Sequence, residues 1–133
     1  MRFCLDTDTS IHAMKGTYPQ IAKNLLNHEP ANFGTPAIVR AELLLGVLKS
    51  NAPERTREIV ERFLRPFATI PFDANAAQHY AEIRADLEKR GTPIGPNDLM
   101  IAATARARNL ILITHNTTEF QRVSGLATED WCQ

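Results

Sequence analysis

Apolar and polar positions change period along this chain, and the changes divide it into short strands and amphipathic helices. The run Phe3-Cys4-Leu5 is uniformly apolar and gives way at once to Asp6-Thr7-Asp8-Thr9-Ser10. Such a block reads as a buried strand over residues 2–5 whose carboxyl end hands over to a helix. Residues 7–28 mix polar and apolar positions around Gly16 and Pro19, which predicts two short helices. "FGTPAIVRAELLLGVLKS" predicts a turn or short strand, then a helix with Pro36 at its first position and an end near Ser50. A further helix opens at Pro53 and stops at Pro66, "ATIPF" is a second strand, and Asp73 caps a helix closing on Lys89, Arg90 and Gly91. "GPNDLMIAATARARN" predicts the next helix, "LILIT" the clearest strand, "NTTEFQRV" a short helix and "LATEDW" a last edge strand.

Strands alternating with helices pair in parallel through crossover helices. The expected fold is α/β, a three-layer α/β/α sandwich around a mainly parallel sheet. If the strands at 2–5 and 110–113 are neighbours, Asp6 lies beside Thr114-His115-Asn116, at the edge where α/β sheets bind ligands. With 133 residues and no repeat, low-complexity tract or long linker, residues 1–133 are expected to form a single domain.

Composition narrows the classes only partly. Fifteen Lys and Arg balance fifteen Asp and Glu, so no global positive field recruits nucleic acid. Arg55, Arg57, Arg62 and Arg65 sit among Glu54, Glu58 and Glu61 and read as a solvated helix face. Cys4 and Cys132 do not make a disulfide framework, and the opening "MRFCLDT" lacks the apolar core of a signal peptide. No apolar run approaches membrane-spanning length, so a cytoplasmic protein without a membrane association is expected.

The chemistry is carried by carboxylates. Asp6 is either the cap of the next helix or a ligand at a strand end. Glu42 falls in the apolar stripe of Ile38, Ala41, Leu45 and Leu48, where it either snorkels to solvent or faces inward. Asp98 shares a face with Ile101, Ala102 and Ala105, which aims it at the sheet, although a first-turn Asp also favours the helix dipole. No Lys or Arg shares the faces of Glu42 and Asp98. If these acids converge, a divalent metal is the natural countercharge, and oxygen ligands suit Mg²⁺, with Mn²⁺ able to substitute. His12, His28, His79 and His115 show no HExxH-like or CxxC-like spacing, so they are expected to be structural or exposed, and zinc is disfavoured. Asn116 and Glu119 match a capping box, and Glu119 could both cap and face the acids.

The ordered motifs "LDTDTSI", "AELLLGV", "GTPIGPNDLMIAATA" and "ITHNTTEFQRVSGLATEDW" resemble PIN-domain ribonucleases, and are most similar to the VapC toxins of bacterial toxin–antitoxin pairs. The resemblance covers nearly the whole chain. It implies a PIN-like sandwich and a Mg²⁺- or Mn²⁺-dependent endoribonuclease that cuts structured RNA, with the tRNA anticodon loop, and initiator tRNA first, as the substrate to try. It also implies a homodimer, inhibited by a cognate VapB antitoxin in a toxin–antitoxin hetero-oligomer. The family's acids map to Asp6, Glu42 and Asp98, which would be catalytic and hold the metal. The family's T-x-D slot reads Thr114-His115-Asn116 here, so Asn116 replaces a carboxylate and Glu119 is the nearest acid able to contribute. Asp8 stands where relatives commonly carry Asn, as an auxiliary acid or a cap. Water attack in line would leave a 5′-phosphate and a 3′-hydroxyl. Substrate-binding residues are not assigned.

Two other readings compete. "FCLDTDTS" also resembles the motif of haloacid dehalogenase-like phosphatases, with Asp6 as nucleophile and Asp8 as general acid, but the lysine and downstream acidic pair of such enzymes are missing. A non-catalytic PIN-like RNA-binding module would be marked by lost acids, whereas Asp6, Glu42 and Asp98 are all present.

Overall fold

A computed structural model describes residues 1–133. Five strands, β1 (Phe3–Leu5), β2 (Phe33–Pro36), β3 (Ala68–Ile70), β4 (Ile111–Ile113) and β5 (Ala127–Glu129), form one sheet in the order β3-β2-β1-β4-β5. Every pairing is parallel, so the sheet is parallel throughout. The helices are α1 (Thr7–Lys15), α2 (Pro19–Leu26), α3 (Ala37–Lys49), α4 (Pro53–Leu64), α5 (Ala74–Lys89), α6 (Pro96–Ala107) and the single turn α7 (Thr117–Phe120). The α/β class expected from alternation is the one observed.

Side chains alternate across β1, and the two faces feed two cores. Cys4 points into the larger core, with Val39, Leu43 and Val47 of α3, Val60 and Leu64 of α4, Ile83 and Leu87 of α5, and the small-residue face of α6. Phe3 and Leu5 point the other way, to Ile21 of α2, Phe33, Ile113 and Trp131. Burial pushes the Cys4 thiol up to about 12, so it behaves as a small apolar residue. No helix is long and apolar enough to cross a membrane.

Two expectations about residues 33–50 need correction. Pro36 is the last residue of β2 and the cap position of α3, which begins at Ala37. The buried face of α3 is Val39, Leu43 and Val47, four residues apart, whereas Leu45 and Leu48 are 50% and 72% exposed. "AIVRAELLLGVL" is apolar nearly all round, so helical period alone could not say which stripe meets the sheet. Glu42 therefore borders the buried face and does not interrupt it. The Asp73 cap is made as expected, its Oδ1 accepting from the Ala76 N–H at 2.9 Å, and Gly91 takes the left-handed φ of 71° just past the end of α5.

Gly34 is closely packed by side chains: a Cβ there would lie 2.5 Å from Met1 Sδ and 2.6 Å from Ile70 Cδ1. Gly46, inside α3, has nothing within 4 Å of the equivalent point. Gly34→Ala is expected to lower the unfolding free energy by about 1–3 kcal/mol through overpacking, and Gly46→Ala to raise it by about 0.5–1 kcal/mol. Urea denaturation with an unchanged m-value checks both signs.

Candidate active site

The strand order reverses at β1. From β1 the chain moves to one side through β2 and β3, then returns to the other side for β4 and β5. The segments leaving β1 and β4 therefore part company, and a crevice opens between them at the carboxyl ends of the strands. Leu5 is in register with Ile113, and the Asp6 N–H donates to the Ile113 carbonyl at 3.1 Å. Asp6 thus lies next to Thr114.

Asp6 is 5% exposed. Its Oδ1 accepts from the Thr9 N–H at 2.9 Å, capping α1, while its Oδ2 accepts from Thr114 Oγ1 at 2.6 Å. The carboxylate that caps α1 is thus also tied to the end of β4. Each oxygen still has a lone pair to offer. Burial holds the Asp6 carboxyl above its usual range, the bonds from Thr114 and Thr9 pull it back, and the Asp8 charge adds to the rise. Asp8 itself is exposed in the first turn of α1.

Glu42 reaches the same region from the second turn of α3. Its Oε1 accepts from Thr7 Oγ1 at 2.6 Å and its Oε2 from Asn97 Nδ2 at 3.2 Å, which ties α1, α3 and α6 together. Asp98, in the first turn of α6, is half-buried, and its carboxyl is pushed up to about 6. Burial is the largest cause, followed by the Glu119 side chain as a hydrogen-bond neighbour and by the charges of Glu119, Asp6 and Glu42. Four carboxylates from four segments therefore feel one another.

Asn116 joins this group, although not as a cap. Its side chain makes no capping bond to α7; Nδ2 donates instead to Glu119 Oε2 at 2.9 Å, while the Asn116 N–H donates to Thr114 Oγ1 at 2.9 Å. The capping-box expectation fails because Thr114 takes the Asn116 N–H that Glu119 would have bonded, and Glu119 bonds the Asn116 side-chain amide instead. An amide where a carboxylate was expected attracts Glu119 to this edge, where a fourth acid in that slot would repel it.

No cation neutralises the group. The ion pairs of the molecule join Arg57 to Glu61, Arg84 to Glu88, Arg90 to Asp86, Arg106 to Glu82, Arg108 to Asp73 and His115 to Asp130. Arg40 bonds Thr69 Oγ1 at 2.9 Å, away from Glu42. An all-oxygen, anionic donor set without a partner fits a hard divalent cation. No three of these acids bring ligand oxygens within 4.8 Å of one another, a spread that suits an ion held by one or two carboxylates and several waters. Of the histidines, His28 packs among Phe3, Phe33 and Trp131, His12 meets the Tyr18 ring, and His79 accepts from Arg106 Nε. Thr114 stands beside Asp6 as the strand reading placed it, whereas Thr7 and Asn97, which hold Glu42, were not assigned a role in the site by sequence reasoning; their adjacency to Asp6 and Asp98 was the only signal.

A PIN domain family model matches residues 3–126. The chain is 39% identical over 132 residues to a tRNA(fMet)-specific endonuclease VapC of Salmonella typhimurium, covering 99% of both chains. It superposes on a chain of the DNA-bound VapBC crystal structure from Salmonella typhimurium with a TM-score of 0.94 at 39% identity, covering 99% of each. For VapBC2 from Rickettsia felis bound to a promoter DNA fragment the TM-score is 0.93 at 36% identity, covering 98% of this chain and 99% of that one.

Thr114→Val deletes the donor to Asp6 and the acceptor for the Asn116 N–H. It is expected to cost about 1–3 kcal/mol in chemical denaturation, with Thr114→Ser retaining most of the stability. Because the folded Asp98 carboxyl, at about 6, lies above the ordinary 3.8, its contribution is fully favourable below 3.8 and is lost as pH rises through 6. In EDTA the melting temperature should therefore rise more between pH 7 and pH 5 for the parent protein than for Asp98→Asn, and the two curves should differ most above pH 6.

Proposed function

The chain belongs to the PIN-domain family, and on that premise we propose that it is a VapC-type toxin, a divalent-metal-dependent endoribonuclease hydrolysing a phosphodiester of structured RNA. The observation that carries this reading is the group of four uncompensated carboxylates at the strand-order reversal. The substrate proposed is tRNA, cut in its anticodon loop with initiator tRNA first, because the Salmonella typhimurium relative is named for tRNA(fMet). An exposed, unstacked loop is also the form of RNA whose bases a protein can read.

Asp6 and Asp98 would hold Mg²⁺ or Mn²⁺, with Glu42 contributing through a bound water. Such an ion would lower the pKa of a water and offset charge on the attacked phosphate. The chain's own contribution is to position and to move protons. Without an ion, burial and the neighbouring acids push the Asp98 carboxyl up to about 6, a strain that a bound cation would relieve; Glu119, held at the edge of the group, is the carboxylate placed to take a proton from an attacking water. Asn116 Nδ2 orients Glu119, Thr114 orients Asp6, and Thr7 and Asn97 orient Glu42. The products are a 5′-phosphate and a 3′-hydroxyl, without use of the ribose 2′-hydroxyl.

The partner proposed is a VapB-type antitoxin, in keeping with the toxin–antitoxin complexes that this chain resembles. A groove of about 590 Å³, lined by Ile11, Met14, Leu43 and Ile59 together with Lys15 and Ser50, ends at Glu42 and offers a half-apolar surface next to the acids. The working unit would be a homodimer of single-domain chains in the cytoplasm. The phosphatase reading gains no support, since Asp8 is exposed and no side-chain bond pairs it with Asp6. A non-catalytic module would have no use for four unpaired acids.

Antitoxin-free protein incubated with total tRNA should give discrete fragments with Mg²⁺ and none with EDTA. Asp98→Asn should lower the initial rate at least about 100-fold, and Asn116→Ala about 10–100-fold. Fragment ends mapped by sequencing locate the cut; intact tRNA after incubation with folded, Mg²⁺-loaded protein would count against the proposal.

A further inference from the structure

A second constellation of ligand groups lies beside the acids, at the ends of β4 and β5. His115 follows β4 and Asp130 and Cys132 follow β5; their ligand atoms all lie within 4.8 Å of one another. Parallel register produces the meeting, since Ile113 pairs with Glu129 and the Thr114 N–H donates to the Glu129 carbonyl at 2.9 Å. Trp131 is 5% exposed and packs on Phe3, Phe33 and His28, which anchors the segment after β5, and Cys132 beside it lies partly buried against the same core. The Asp130 carboxylate joins the other two, its Oδ2 lying 2.9 Å from His115 Nδ1 and its Oδ1 accepting from the Cys132 N–H at 2.9 Å.

The geometry points to a zinc site made by His115, Asp130 and Cys132, separate from the acidic group. One imidazole, one carboxylate and one thiolate are the N, O and S donors that Zn²⁺ takes and that Mg²⁺ does not favour. With bonds of about 2.1–2.3 Å, tetrahedral zinc needs ligand atoms about 3.6 Å apart. The half-exposed His115 and the partly exposed Cys132 can close that gap by side-chain rotation. Binding involves no redox change: the Cys132 thiol gives its proton to solvent, its sulfur bonds the ion, and the carboxylate and a neutral imidazole nitrogen donate lone pairs. Without an ion, burial and the Asp130 charge keep the thiol protonated, pushed up to about 11. A fourth position is left for water. The ion would fasten β5 to the segment Thr114-His115-Asn116, on which Asp6 and Glu119 depend. None of this rests on the nuclease reading.

The test uses the full chain, reduced and stripped with EDTA, and titrated with Zn²⁺ against a competing chelator, then with Co²⁺ as a spectroscopic probe. One Zn²⁺ per chain is expected at this site, with a thiolate-to-cobalt charge-transfer band and a raised melting temperature. Cys132→Ser should abolish the band, and both Cys132→Ser and His115→Ala should weaken Zn²⁺ at least about 100-fold while keeping the parent's metal-free melting temperature. Asp98→Asn should leave the band and the affinity intact. Absence of Zn²⁺ binding, or Zn²⁺ binding that persists in Cys132→Ser and vanishes in Asp98→Asn, overturns the assignment.

Discussion

A carboxylate taken out of water at the end of a strand is costly unless its oxygens are met, and the arrangement around Asp6 follows from that constraint. One oxygen is met by the first turn of α1 and the other by Thr114 at the end of β4. These two bonds fix where α1 starts and how the segment after β4 turns. Thr114 Oγ1 in turn receives the Asn116 N–H, and Asn116 holds Glu119. A chain of hydrogen bonds thus runs from the end of the first strand to α7.

The acids brought together in this way repel one another, and no Lys or Arg relieves them. The cost is visible in Asp98, whose carboxyl is driven up to about 6 by burial and by its neighbours. A fold pays for such a grouping only where it serves a function, and here the sheet supplies the compensation. Both faces of the sheet are packed, Cys4 and Leu112 on one side, Phe3, Leu5 and Ile113 on the other. The strand ends are therefore held rigidly enough to keep like charges close. Polar neighbours such as Thr7 and Asn97 then steer Glu42 without neutralising it.

The edge formed by β5 is a second consequence of the same sheet. Because β5 pairs in parallel with β4, the residues that follow it arrive beside those that follow β4, and a buried Trp131 anchors them. The acidic crevice and the His115, Asp130 and Cys132 grouping are thus neighbours on one rim, with different donor chemistry.

Much of this could be read from residues alone. Short apolar runs alternating with capped helices determine an α/β fold, because a strand buried on both faces must be apolar throughout and must be joined by crossovers. Asp6, Glu42 and Asp98 stood out because carboxylates at a strand end, beside a helix's apolar positions and in a helix's first turn lacked cations of their own. What no local pattern could decide was which stripe of α3 faces the sheet, since that helix is apolar nearly all round, and only packing selects Val39, Leu43 and Val47. Nor could it show that Asp6, besides capping α1, is met at its other oxygen by Thr114 from 108 residues away. The role of Asn116 and the meeting of His115 with Asp130 and Cys132 belong to the same class. Each depends on distances between segments far apart in the chain, which hydrophobic period and spacing do not encode and the register of parallel strands does.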